Sequence, residues 1–256
     1  MSKALCIAAA AWLAAGAAWA QLGWDAMPPA DAVLAVTFDS MCGLDGARGI
    51  FPSNGVGFAF TTSGELLGQG GGGYTRYASR PEYSFCSGTN DQPFSVSFWL
   101  YMFSLNVNAG YVSKANTPNP PNEWIVISRA GNAIGLLCYG DGPRAVGNYI
   151  QRTSVSSFTS NRWWHMAFTY PGGSRTAGMT GATLTVNATN AALGAIDQGG
   201  TYTSMVATTQ DLYVGTTQGT GGYAINGLMD DVVIFNRVIS RSEILELYQA
   251  GKAKGR

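Results

Sequence analysis

Side chains able to do acid–base, nucleophilic or metal chemistry are sparse in these 256 residues. The one histidine, His165, sits in the middle of the strand-like run RWWHMAFTY at 162–170. A catalytic triad or a catalytic zinc site would have to be assembled around it. A hydrogen-bonded structural histidine is the reading that position favours. The carboxylates are dispersed. No strand-like run carries two of them at i and i+2, the spacing that sets two acids on one face of a strand beside a single glycosidic bond. Asp230 and Asp231 are adjacent, so strand alternation points them to opposite faces. Glu123 and Asp141 are unpaired acids, the kind a divergent glycan-active enzyme would have to use. No C-x-x-C spacing occurs, which argues against a zinc or redox centre. The tetraglycine at 70–73 lacks the helix and lysine that follow in a phosphate loop and reads as a turn.

The elements that would position these groups are mostly strands. Charged residues make up 12% and aromatic residues 12%, with 34 glycines, a mix that favours a turn-rich β protein. Formal net charge is zero and no Lys/Arg run marks a nucleic-acid surface. Residues 1–20 read as a signal peptide: Lys3, an apolar stretch, then Ala18-Trp19-Ala20 as the cleavage site. Export into an oxidising compartment follows, with no membrane span in the mature chain. Residues 21–31 are a lead-in, 32–251 one domain, and 252–256, with Lys252, Lys254 and Arg256, a soluble basic tail. Three cysteines remain after cleavage. Cys42 and Cys86 lie in turn-like contexts and are the preferred pair of three possible pairings; Cys138, in an apolar run, reads as a core residue.

The stretch at 226–251, NGLMDDVVIFNRVISRSEILELYQAG, organises the rest. Val232 and Ile234 share one face and Val233 and Phe235 the other, so this strand is apolar on both sides and central in a sheet. Ser240 and Glu243 have capping-box spacing. Ile244, Leu247 and Tyr248 then form a helical stripe that must pack on something.

This stretch resembles the C-terminal signature of laminin-G-like domains in the concanavalin A-like lectin/glucanase superfamily. The residues that carry the likeness include Gly227, Asp230, Asp231, Val232, Ile234, Phe235, Asn236, Arg237, Ser240, Glu243, Leu247, Tyr248 and Gly251. Runs at 94–102 (FSVSFWLYM), 111–114 (YVSK), 162–170, 183–187 (TLTVN) and 212–215 (LYVG) match further family strands in order. The strand at 32–39 (AVLAVTFD) corresponds to an opening strand ending in Phe-Asp. Short strands at regular spacing with one helix already imply an all-β sandwich. The resemblance sharpens this to a two-sheet jelly-roll sandwich, concanavalin A-like, with one short C-terminal helix.

A fold is named here more firmly than a job. The laminarinase-type E-x-D-x-x-E motif of some relatives is absent, which disfavours retaining hydrolysis by that route. Calcium is common in the superfamily, and the residues that fit by position are Asp39 and Asp230, with a backbone-capping Asp230 as the equal alternative. Trp124, Tyr139 and Trp164 are the aromatic candidates for a ligand surface, against core packing for most of the tryptophans. The leading function is a secreted, non-catalytic recognition module binding a glycan or an extracellular protein. The alternatives are a structural or adhesive envelope component and a divergent glycan-active enzyme. Partner identity and oligomeric state are not readable.

Overall fold

A computed structural model describes residues 31–36, 54–56, 59–60, 66–68, 73–104, 106–116, 121–140, 147–174, 176–217 and 223–256. The leader, Asp39, Cys42, the tetraglycine turn up to residue 72 and Asp141 lie outside the described residues.

Two antiparallel sheets face one another. The first is centred on β6 (Phe94–Met102) and β16 (Gly227–Phe235). β11 (Trp163–Tyr170) and β12 (Thr183–Val186) extend it on the β6 side, ending in β13 (Thr189–Ala191). On its other side β16 pairs β1 (Ala32–Val36) along Val232–Phe235 and β4 (Leu66–Gly68) along Gly227–Met229, with β3 (Ala59–Phe60) outermost. The expected central strand is thus in place, and the opening strand, described over Ala32–Val36, lies beside it.

The second sheet runs β14 (Asp197–Gly199), β10 (Tyr149–Thr153), β9 (Ala133–Tyr139), β8 (Trp124–Arg129), β7 (Gly110–Lys114), β15 (Leu212–Val214), β5 (Tyr74–Tyr77) and β2 (Asn54–Val56). A one-turn helix, α1 (Ala177–Gly181), caps the end of β11, and α2 (Arg241–Ala253) follows β16.

Strand alternation gives three apolar layers. Between the sheets lie Phe94, Val96, Phe98 and Leu100 of β6, Trp124 and Val126 of β8, Leu136 and Cys138 of β9, and Val232 and Ile234 of β16. On the outer face of the first sheet, Ala35, Ala167, Val233 and Phe235 meet Ile239, Ile244 and Leu247. On the outer face of the second, Ile125, Ile127, Leu137 and Tyr139 cluster with Tyr149.

Helix α2 seals the outer face of the first sheet. Its N-terminus carries the expected capping box: the Ser240 hydroxyl accepts from the Glu243 N–H, and the Glu243 carboxylate accepts from the Ser240 N–H. Arg237 bridges Asp31 and Glu243 across the strand–helix turn. Tyr248 stacks on Trp99 with ring centroids 5.5 Å apart. At Gly251 any side chain would overlap the Trp99 indole, so the signature's glycine is there because the helix lies directly on that ring.

The basic segment 252–256 is not a solvated tail. Residues 252–253 belong to α2, Lys254 Nζ lies 2.7 Å from Asp231 Oδ1, and the Arg256 guanidinium grips Asp230 Oδ2, with Nε at 2.9 Å. The two aspartates therefore serve one segment rather than pointing to opposite faces. The alternation breaks because Asp231 adopts a left-handed φ of 48° in a bulge of β16 against β6.

Candidate functional site

On β8, Trp124 and Val126 turn into the sandwich, which leaves Ile125, Ile127 and Arg129 outward; on β9 Leu137 and Tyr139 face out, and on β10 Tyr149 and Gln151 do. Register sets these side by side: Leu137 opposes Ile125 and Gln151, and Tyr139 opposes Tyr149. The result is a cleft of about 270 Å³ lined by Asn108, Ile127, Arg129, Leu137, Tyr139, Gly147, Tyr149, Gln151 and Tyr223.

A polar row crosses this face. Arg129 Nη1 donates to Asn108 Oδ1 at 2.8 Å, and Arg129 Nη2 donates to Gln151 Oε1 at 2.6 Å. Gln151 Nε2 donates to Asp197 Oδ2. The two neighbours fix which way the Gln151 amide points, so the row is preorganised. The Tyr149 hydroxyl also reaches Asp197, at 3.3 Å, and burial together with that carboxylate pushes the phenol pKa up, so it stays a neutral donor. Asn108 occupies a left-handed turn at φ 66°, a conformation Asn tolerates. The adjoining turn is pinned by Ser128, whose hydroxyl accepts from the Ala109 N–H at 2.8 Å. Opposite Tyr149 on β14, Gly199 leaves room for the ring, which any side chain there would strike.

Of the three aromatic candidates only Tyr139 lines the cleft. Trp124 is fully buried between the sheets with its indole N–H on the Tyr83 carbonyl, because its parity on β8 is inward. Trp164 packs edge-on against Phe158 at the side of the main core, under the Arg162 guanidinium. Its neighbour Trp163 faces the other way, against Trp99 and Tyr101.

Among the described chemical candidates, His165 and Glu123 are occupied in structural roles. His165 is buried, its Nε2 lies 2.9 Å from the Ser97 hydroxyl, and burial pushes its pKa down to about 3, so the ring is neutral. Glu123 is not an exposed acid. It is fully buried, 3.0 Å from Lys114 Nζ, and accepts from the Phe85 and Thr208 N–H groups, tying two loops to β8. Burial raises its pKa while Lys114 opposes the rise. Cys138 is a buried core thiol and Cys86 a half-exposed free one; a Cys42–Cys86 bridge lies outside the described residues.

Asp230 does not fit a calcium ligand. Its Oδ1 accepts from the Asp231 N–H at 2.8 Å and its Oδ2 holds Arg256, so a guanidinium stands where a cation would. Among the described residues no cluster of three or more His, Cys, Asp or Glu gathers as a metal site.

The cleft residues that sequence reasoning missed, Asn108, Arg129, Tyr149, Gln151 and Tyr223, carry no local motif. The one usable signal is the alternation in YIQRT at β10, apolar Ile150 inward between outward Tyr149 and Gln151.

Residues 70–245 match a laminin-G family model described as the concanavalin A-like lectin/glucanases superfamily. No curated protein matches the chain. Solved structures share the fold at low identity. The binding domain of Paraclostridial Mosquitocidal Protein 1 aligns with a TM-score of 0.60 at 15% identity, covering 86% of this chain and 52% of that one. Domain 4 of AbnA, a GH43 extracellular arabinanase from Geobacillus stearothermophilus in complex with arabinotriose, aligns at 0.55 and 14% identity, covering 86% of this chain and 98% of the domain. Trypanosoma rangeli sialidase in complex with 2,3-difluoro-KDN aligns at 0.59 and 15% identity, covering 89% of this chain. This chain spans 34% of that sialidase's length.

Proposed function

Because this chain belongs to the concanavalin A-like lectin/glucanases superfamily, we propose that it is an exported carbohydrate-binding module that recognises glycan without cleaving it. One observation carries the reading: the outer face of the second sheet holds a cleft whose apolar floor lies beside a cross-locked row of polar side chains. That is the composition of a small-molecule site, apolar surface with a few fixed polar groups, and it suits a sugar, which has apolar ring faces and hydroxyls that both donate and accept. The likeness to one domain described as a binding domain, and to an arabinanase domain in complex with arabinotriose, supports the same reading. The leader pattern at 1–20 supports export.

Among the described residues, the acids weighed for chemistry are committed elsewhere, while Asp141 lies outside them. Glu123 is committed to Lys114 and to backbone, and Asp230 to Arg256. The module works without calcium at Asp230. Purified exported protein on an array of neutral and acidic glycans tests the proposal: binding that Gln151→Ala abolishes supports it. An array with no bound glycan rejects it in favour of a structural or adhesive role, and release of reducing sugar from bound polysaccharide rejects the non-catalytic part.

A further inference from the structure

We infer that the cleft is built for the end of a neutral glycan: it takes one uncharged terminal sugar ring rather than an internal stretch of chain. This rests on the carbohydrate reading above and goes beyond it in two respects, the length of chain engaged and its charge.

Size argues for one ring. The cleft holds about 270 Å³, just under the ~300–1,000 Å³ of sites that take drug-sized ligands. Its polar groups are close together. Gln151, in the row, and Tyr149, beside Gly147, are two residues apart on β10, about 7 Å at the usual strand rise. Residues from connections line it as well: Asn108 precedes β7, Gly147 precedes β10 and Tyr223 precedes β16. A chain passing straight through needs an open floor along the sheet. Here the Arg129 side chain reaches from the end of β8 to Gln151, two strands away, and lies across that path.

Charge argues for a neutral ligand. The row ends in the exposed Asp197 carboxylate, which accepts from both Gln151 and Tyr149. Arg129, the cation of the row, already donates to the Asn108 and Gln151 carbonyl oxygens. Sugar hydroxyls can enter such a row with either polarity, because each both donates and accepts. A sugar carboxylate can only accept, and it would face Asp197.

The probes are neutral polysaccharides (glucan, mannan, galactan and arabinan), each offered intact and after partial acid hydrolysis at equal mass. Hydrolysis multiplies chain ends at constant composition, so binding per unit mass rises with the number of ends. For the polymer that binds, its disaccharide and its pentasaccharide bind within about twofold of each other, and the corresponding uronide binds weaker by about tenfold or more. Asp197→Asn narrows that gap between neutral and acidic ligands.

Binding that falls on hydrolysis, or a pentasaccharide tighter by about tenfold, overturns end recognition and leaves the carbohydrate reading standing. A uronide that binds as well as the neutral sugar, or a gap that Asp197→Asn leaves unchanged, overturns the charge argument. Failure of every polysaccharide, intact and hydrolysed, overturns the carbohydrate reading itself.

Discussion

The two outer faces of this sandwich begin alike and end differently. Each carries an apolar patch on its middle strands: Ala35, Ala167, Val233 and Phe235 on the first sheet, Ile125, Ile127 and Leu137 on the second. The chain covers the first patch with its own helix, locks the helix start with a capping box and fastens the helix end through Asp230–Arg256 and Asp231–Lys254. The second patch is left under a cleft, with its polar side chains fastened to one another instead. The lesson is that the strongest sequence signature builds the sealed face. A motif of this kind reports the fold's closure, and the proposed recognition surface lies on the opposite face.

That contrast is sharpened by substitutions on the sealed face. Removing Arg256 leaves Asp230 charged and buried; the side chains are 7% and 0% exposed. Breaking such a pair costs about 3–5 kcal/mol, so Arg256→Ala should lower Tm by roughly 6–20 °C. A loss of a degree or two in differential scanning calorimetry would mean that the segment beyond α2 is dispensable. Gly251→Ala comes next. The added methyl must displace either α2 or the Trp99 indole, which costs about 1–3 kcal/mol. Unchanged stability would show that the helix does not lie on Trp99.

Ser240→Ala removes the helix cap and should cost about 1 kcal/mol, roughly 2–4 °C in a domain of this size. No shift would place the helix start elsewhere. The smallest effect belongs to calcium. With Arg256 on Asp230, melting in calcium and in chelator should coincide. A rise in Tm that Asp230→Asn removes would restore Asp230 as a ligand and break the description of the sealed face.

Legibility followed the same division. The apolar alternation of β16 and the start and stripe of α2 could be read because their information is local: alternating apolar residues, a capping pair three residues apart, a stripe at helical spacing. Their fastening was not. Lys254 and Arg256 find Asp231 and Asp230 across 23 and 26 residues and through a bulge, and nothing in a short basic segment announces a partner that far away. The cleft was least legible. Its row joins residues 21, 22 and 46 positions apart, brought together by strand register and by the turn that carries Asn108. β8 hides its parity as well. WIVIS is apolar at every position but the last, so the sequence does not say whether Trp124 or Ile125 faces the core. Trp124, an aromatic candidate for a ligand surface on sequence grounds, therefore lies fully buried in the sandwich instead.

The most direct test of the account is a paired measurement on Gln151→Ala, calorimetric Tm beside glycan affinity for the ligand that the wild type binds. Gln151 is half-buried at the centre of the row and packs on neither the inter-sheet core nor the sealed face. The account predicts a Tm within about 2 °C of wild type, the scale of a surface change of up to about 0.5 kcal/mol, together with an affinity loss of about tenfold or more. Affinity retained in Gln151→Ala but lost in Trp163→Ala, on the sheet that α2 covers, would contradict it and move recognition to the other face.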